Sequence, residues 1–172
     1  MYHSNKTRFV LISALLLFTF SVFTISCDDD DMYSIVLNDI GPFDTTGVER
    51  FVSDQGLIIY FHEHGTGDYI SERDRVLIRY TGRTPDGEMF DSSKRNDVDN
   101  PGTMSVNTLI RGFKHSLAGV PSDGGRLHAA RVGAVRTIVV PPHLGYGDSP
   151  GHELEKDTLI FDYDIVSIRS PE

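Results

Sequence analysis

The chain is 172 residues long, with 39% apolar residues, 24% charged residues and a formal net charge of −9. That length carries one domain of ordinary size plus a tail, and the apolar fraction is enough for a core. The excess of acid excludes a nucleic-acid backbone as partner, because such binding rests on clustered Lys and Arg. The single cysteine excludes an intramolecular disulfide.

The first residues read as an export signal. Lys6 and Arg8 form a positive start, and Phe9 to Phe23 is an apolar run interrupted by Ser13, Thr19 and Ser21. The run approaches the length of a membrane span, but Cys27 follows it directly in Thr24-Ile25-Ser26-Cys27. This resembles a bacterial lipobox with Thr24 at the usual Leu position. The resemblance implies cleavage before Cys27 and lipidation of that residue, with more than one acyl chain needed for stable anchoring to a membrane. Asp28, Asp29, Asp30 and Asp31 come next. Such a run repels itself and stays solvated, as a tether does, and it also resembles the surface-export signal of some Gram-negative lipoproteins. The expected organisation is a signal peptide over 1–26, a lipid-anchored acidic linker over 27–48 and a folded domain over 49–172. The linker contains the breakers Asn38-Asp39, Gly41-Pro42 and Gly47. Its Ile35-Val36-Leu37 either docks on the domain or forms a short strand.

The remainder reads mostly as strand. Leu57 to Phe61 is a short run rich in Ile and aromatics, and Val76, Ile78 and Tyr80 alternate onto one face. Thr84-Pro85-Asp86-Gly87 is a turn: Pro pre-sets the backbone, Asp caps locally and Gly accepts a positive φ. It predicts a hairpin from the Tyr80 strand to one carrying Phe90. A helix is predicted from about Leu109 to Leu117, capped by Asn107 or Thr108 and ended by Gly119. Val135 to Val140 is a strand stopped by Pro141-Pro142. Leu159 to Ile168 alternates, with Leu159, Phe161, Tyr163 and Ile165 on one side and Asp162 and Asp164 on the other. Strands plus one short helix make an α+β domain, an antiparallel sheet with a helix on one face.

Four ordered blocks carry a family resemblance. Tyr80-Thr81-Gly82 with Asp86-Gly87 and Phe90-Asp91-Ser92-Ser93 resembles the FKBP signature. Leu109-Ile110-Arg111-Gly112-Phe113 resembles that family's helix entry, Gly145-Tyr146-Gly147 its Tyr-Gly loop, and Thr158-Leu159-Ile160-Phe161-Asp162 its final strand. The resemblance implies an antiparallel half-barrel sheet wrapped around one short helix, with an apolar pocket between them. It implies prolyl cis-trans isomerisation on Xaa-Pro bonds, with no cofactor or metal. Its partners would be proline-containing polypeptides and FKBP-type macrolide ligands. Carried over, the catalytic set is Tyr80, Asp91, Ile110 through its backbone N–H, and Tyr146. The substrate-binding set is Phe90, Met104, Leu109, Phe113 and Phe161. An alternative implied by the same fold is a non-catalytic peptide-binding or chaperone domain.

The chain departs from the family pattern in places. Gly102 stands where an aromatic is usual, and Phe113 replaces a Trp at the pocket floor. Glu153-Leu154-Glu155-Lys156-Asp157 occupies the stretch before the last strand, where the family has Ile-Pro-Pro. Arg95 is the nearest candidate to pair with Asp91. Between Gly119 and Val132 the chain is longer than the common form, and Pro121, Ser122, Asp123, Gly124 and Gly125 open the extra loop, either a partner-binding loop or a neutral insertion. Elsewhere, His62-Glu63-His64 places two imidazoles on one side of a strand, but no further metal ligands accompany them. Ser92 and Ser93 lack the setting of a nucleophile.

Overall fold

The structure is a computed structural model that describes residues 40–94 and 100–169. The N-terminal apolar run, Cys27, the acidic run, Ile35-Val36-Leu37 and Arg95 lie outside the described residues. Strands β1 (Arg50–Val52), β2 (Ile58–His64), β3 (Arg75–Arg83), β4 (Met89–Ser92) and β5 (Gly102–Ser105) precede helix α1 (Arg111–Ala118). Strands β6 (Val120–Ser122), β7 (Gly125–Leu127), β8 (Ala134–Val140) and β9 (Leu159–Arg169) follow it. The main sheet runs β1-β2-β8-β9-β3-β4, and β5 pairs with the other half of β3's free edge; every pairing is antiparallel. β6 and β7 form a separate hairpin.

Register explains why the alternating sequences make one core. Ile59 faces Ile138, Ile138 faces Phe161 and Phe161 faces Gly82, so one cross-strand row lies on the inner side. The next row is Phe61, Arg136, Tyr163 and Tyr80. Residues directly opposite share a face, and α1 covers this one with Phe113 and Leu117, both buried. Gly112 allows the close approach, because a Cβ there would come within 2.5 Å of a Val140 methyl. The predicted turn forms as read, with Gly87 N–H donating to the Thr84 carbonyl at 3.0 Å and Gly87 at φ 93°.

The helix starts later than the sequence suggests. Ile110 is its N-cap, and Val106–Thr108 is a separate 3-10 turn in which the Thr108 hydroxyl donates to the Ser105 carbonyl. Asn107 and Thr108 therefore cap nothing in α1. The expectation of two imidazoles on one side of β2 is also corrected. A bulge between Phe61 and Glu63 shifts the register. His64 then stacks on Phe61, while His62 turns to the other face and meets Thr137 and Phe43. No cluster of three potential metal ligands occurs among the described residues.

The outer face carries a buried polar row. Arg83 pairs with Asp162, whose other oxygen accepts the Thr137 hydroxyl; Asp162 is 1% exposed. The chain before β1 crosses this face, with Ile40 N–H donating to the Thr81 hydroxyl and Phe43 edge-on to His62.

Candidate functional site

The inner face and α1 leave a cavity of about 200 Å³ lined by Tyr80, Asp91, Met104, Thr108, Leu109, Ile110, Phe113, Tyr146 and Phe161. Its floor is aromatic. Phe113 meets Phe161 edge-on with centroids 4.9 Å apart and lies nearly parallel to Tyr163 at 5.1 Å. The α1 backbone and β9 fix these rings, so the floor is held by the core itself.

One wall is polar. The Tyr80 hydroxyl donates to Asp91 Oδ2 at 2.7 Å, and Asp91 Oδ1 accepts the Ser92 N–H at 2.8 Å. β3 and β4 supply the two partners: Thr81 faces Ser92 and Gly82 faces Asp91. A carboxylate held by two donors is oriented as well as stabilised.

The opposite rim is the loop after β8. The 3-10 turn Pro142–Leu144 buries Leu144, and Gly147 N–H folds back onto the Pro142 carbonyl at 2.7 Å. A Cβ on Gly147 would meet that same carbonyl oxygen at 2.7 Å, so the tight loop needs glycine there. Arg111, the first residue of α1, pairs with Asp148 and donates to the His143 carbonyl, tying the loop to the helix. Tyr146 therefore stands at the mouth. Burial first, and the Asp91 charge second, push its phenol above the ordinary tyrosine range. It stays protonated at neutral pH and can donate. No hydrogen bond of the Tyr146 hydroxyl or of the Ile110 N–H occurs among the described residues. Both donors are thus available to a ligand carbonyl, as an N-cap residue's N–H commonly is.

Eight of the nine site residues expected from the sequence line this cavity. Phe90 does not. It stands behind Phe161, edge-on at 5.5 Å, over Gly82, where a Cβ would meet both rings within 3.0 Å. Phe90 faces a neighbouring groove with Glu153, Leu154 and Asp157. Thr108 lines the cavity and was not expected to; in the sequence it reads as a helix cap, and only the 3-10 turn brings it to the wall. Gly102 lies beside the Tyr80 ring, whose nearest carbon would be in ordinary contact with an added Cβ at 3.8 Å.

Comparison with known proteins identifies the family. The FKBP-type peptidyl-prolyl cis-trans isomerase family matches residues 67–166. The chain belongs to that family. It is 33% identical over 119 residues to FK506-binding protein 4 of Chaetomium thermophilum, covering 67% of this chain and 22% of that one. It is 30% identical over 124 residues to a probable FKBP-type peptidyl-prolyl cis-trans isomerase of Haemophilus influenzae, covering 71% of this chain and 46% of that one. The crystal structure of FkpA from Escherichia coli superposes with a TM-score of 0.57 at 27% identity, covering 70% of this chain and 52% of that one. The chain thus spans less than half the length of these two curated relatives.

Proposed function

We propose that the chain is a peptidyl-prolyl cis-trans isomerase that acts on Xaa-Pro bonds of extracytoplasmic polypeptides and assists their folding. The observation that carries this reading is the meeting of Tyr80, Asp91, Tyr146 and the Ile110 N–H around one aromatic-floored cavity in a chain of this family.

The mechanism follows from the barrier. Amide resonance holds the bond planar, and an unassisted prolyl bond turns over in tens to hundreds of seconds. The proline ring sits on Phe113 and Phe161, with Met104 and Leu109 beside it. The Ile110 N–H holds the substrate carbonyl preceding or following the ring, and the Tyr146 hydroxyl donates to a second carbonyl. Asp91, oriented by Tyr80, sets the polar edge against which the carbonyl turns. Interactions stronger in the twisted amide than in the planar one lower the barrier, and no nucleophile, metal or cofactor is needed. The same cavity is the place where an FKBP-type macrolide would bind.

The chain is lipidated at Cys27 and held at the extracytoplasmic side of a bacterial membrane, by the lipobox-like Thr24-Ile25-Ser26-Cys27 that follows the apolar run. A second reading, a non-catalytic peptide-binding domain, is favoured by Gly102, which supplies no side chain where the family pattern has an aromatic. Protease-coupled isomerisation of proline peptides by the full chain decides between them. Acceleration with several residues preceding proline supports the enzyme. Binding of the same peptides without acceleration supports the second reading.

A further inference from the structure

A groove of about 370 Å³ lies away from the proline cavity, between the β1–β2 connection and the β6–β7 hairpin. Phe51, Val52, Asp54 and Gln55 form one wall, and Val120, Pro121, Asp123 and Leu127 form the other, with His115 between them. The hairpin is the extra loop noted in the sequence. Ile110, at the start of α1, lines the proline cavity, while Val120, which follows the helix, lines this groove.

Both walls are built. Ser53 N–H and the Leu57 carbonyl bond at 2.9 Å, the Leu57 N–H returns to the Ser53 hydroxyl, and Gly56 closes the turn on the Ser53 carbonyl. Opposite, the Ser122 hydroxyl donates to the Gly125 carbonyl, and Arg126 ties the hairpin to the Gly119 carbonyl and Glu72. Such fixed walls suit a preformed binding site.

Three observations point to an occupant. First, Val52 and Leu127 are 50% and 45% exposed, two of the three large apolar side chains that the described surface shows so openly. Exposed apolar surface rimmed by polar groups marks a binding face. Second, β1 is an edge strand among the described residues. Phe61 N–H bonds the Glu49 carbonyl and Ser53 bonds Leu57, so Glu49, Phe51 and Ser53 face β2. Antiparallel pairing alternates, and Arg50 and Val52 therefore turn their backbone N–H and C=O toward the open edge, which a further strand can extend. Third, the groove's ionised residues are Asp54 and Asp123, on a chain of net charge −9, while the Arg126 charge is taken by Glu72. His115 adds no positive charge at neutral pH, since burial, then Arg126 and Lys114, hold its imidazole below the ordinary range.

We propose that this groove is a second polypeptide-binding site, which takes an extended segment as a strand added to β1, with apolar side chains alternating with Lys or Arg. It would hold an unfolded client without needing proline. It therefore stands or falls separately from the isomerase reading.

The test uses the full chain and a short fluorescein-labelled peptide of alternating valine and lysine, with no proline, followed by fluorescence anisotropy. Saturable binding is expected. Val52→Pro removes the outward N–H without touching the β2 ladder, and Leu127→Lys places a charge of the peptide's own sign on the apolar wall. Each should weaken binding by about tenfold or more, a change of about 1.4 kcal/mol, with isomerase activity unchanged. Should Val52→Pro fail to fold, the exposed Leu127→Lys decides alone. Absence of saturable binding, equal binding by both variants, or equal binding of a valine-glutamate peptide overturns the proposal. Isomerase activity measured on the same wild-type sample reports separately on the proline cavity.

Discussion

The Tyr146 phenol lies flat against the His152 imidazole, with ring centroids 3.9 Å apart and planes 8° apart. His152 is itself fixed, because its Nδ1 accepts the Leu154 N–H at 3.1 Å. The hydroxyl proposed to hold a substrate carbonyl is thus positioned by the loop that replaces the family's proline-rich approach to the last strand. His152→Ala should let the Tyr146 ring swing and lower isomerase turnover severalfold, whereas His152→Phe should restore most of it by keeping a flat partner. Tyr146→Phe should lower turnover by about tenfold, the worth of one hydrogen bond made in the twisted state. The three variants should melt close to the wild type, since all three changes are at the rim. Equal activity of wild type and Tyr146→Phe would remove Tyr146 from the mechanism.

The Tyr80–Asp91 bond gives a second prediction. Asp91→Asn keeps the shape but removes the charge, and Tyr80→Phe removes the donor that orients it. Both should reduce kcat more than they raise KM, because the pair acts on the turning carbonyl and not on the proline ring. A change confined to KM would make the pair a binding feature only.

Phe161 differs in kind. It is 5% exposed and packs against both Phe90 and Phe113. Phe161→Ala should cost about 3–5 kcal/mol of stability, as ring deletions in cores do, and abolish activity together with it. Phe161→Leu should recover much of the stability and little of the activity. Denaturant melts beside the isomerisation assay separate the two.

Two histidines should make stability depend on pH. Burial, followed by Arg126 and Lys114, depresses the imidazole of His115, and burial, followed by Arg136, depresses that of His128. The folded chain binds these protons less readily than the unfolded one, so acid favours unfolding. Their contribution is whole above the unfolded value of about 6.5 and is lost as pH falls from there toward the folded values. The melting temperature should drop over that window, and His115→Gln with His128→Asn should flatten the drop. Asn suits position 128, where φ is 58°. An unchanged slope in the double variant would show that other groups set it.

Lipidation is tested by feeding labelled fatty acid to bacteria expressing the full chain. Label should enter the wild type and not Cys27→Ser. Equal labelling of both would revive the reading of Phe9 to Phe23 as a membrane span.

Much of this protein is legible in the residues alone. Alternation in Val76-Leu77-Ile78-Arg79-Tyr80 and from Leu159 to Ile165 assigns the inner face, because a strand repeats every two residues. Thr84-Pro85-Asp86-Gly87 specifies its turn by local chemistry. Tyr80, Asp91, Met104, Leu109, Ile110, Phe113, Tyr146 and Phe161 could be gathered only through ordered family blocks, since residues so far apart in sequence share no local signal. Tertiary structure decided the rest. The bulge that parts His62 from His64 arises from how β2 registers on β8, not from the sequence His-Glu-His. Thr108 reaches the cavity because Val106–Thr108 tightens into a 3-10 turn. Phe90 is turned away from it because Gly82 leaves room for the ring against Phe161. The residues from Gly119 to Val132 carry no strong local pattern, and what they enclose depends on Phe51, Val52 and Asp54 from a distant edge strand. Local propensity reaches only a few residues along the chain, whereas a groove is made by the distances between chains that packing brings together.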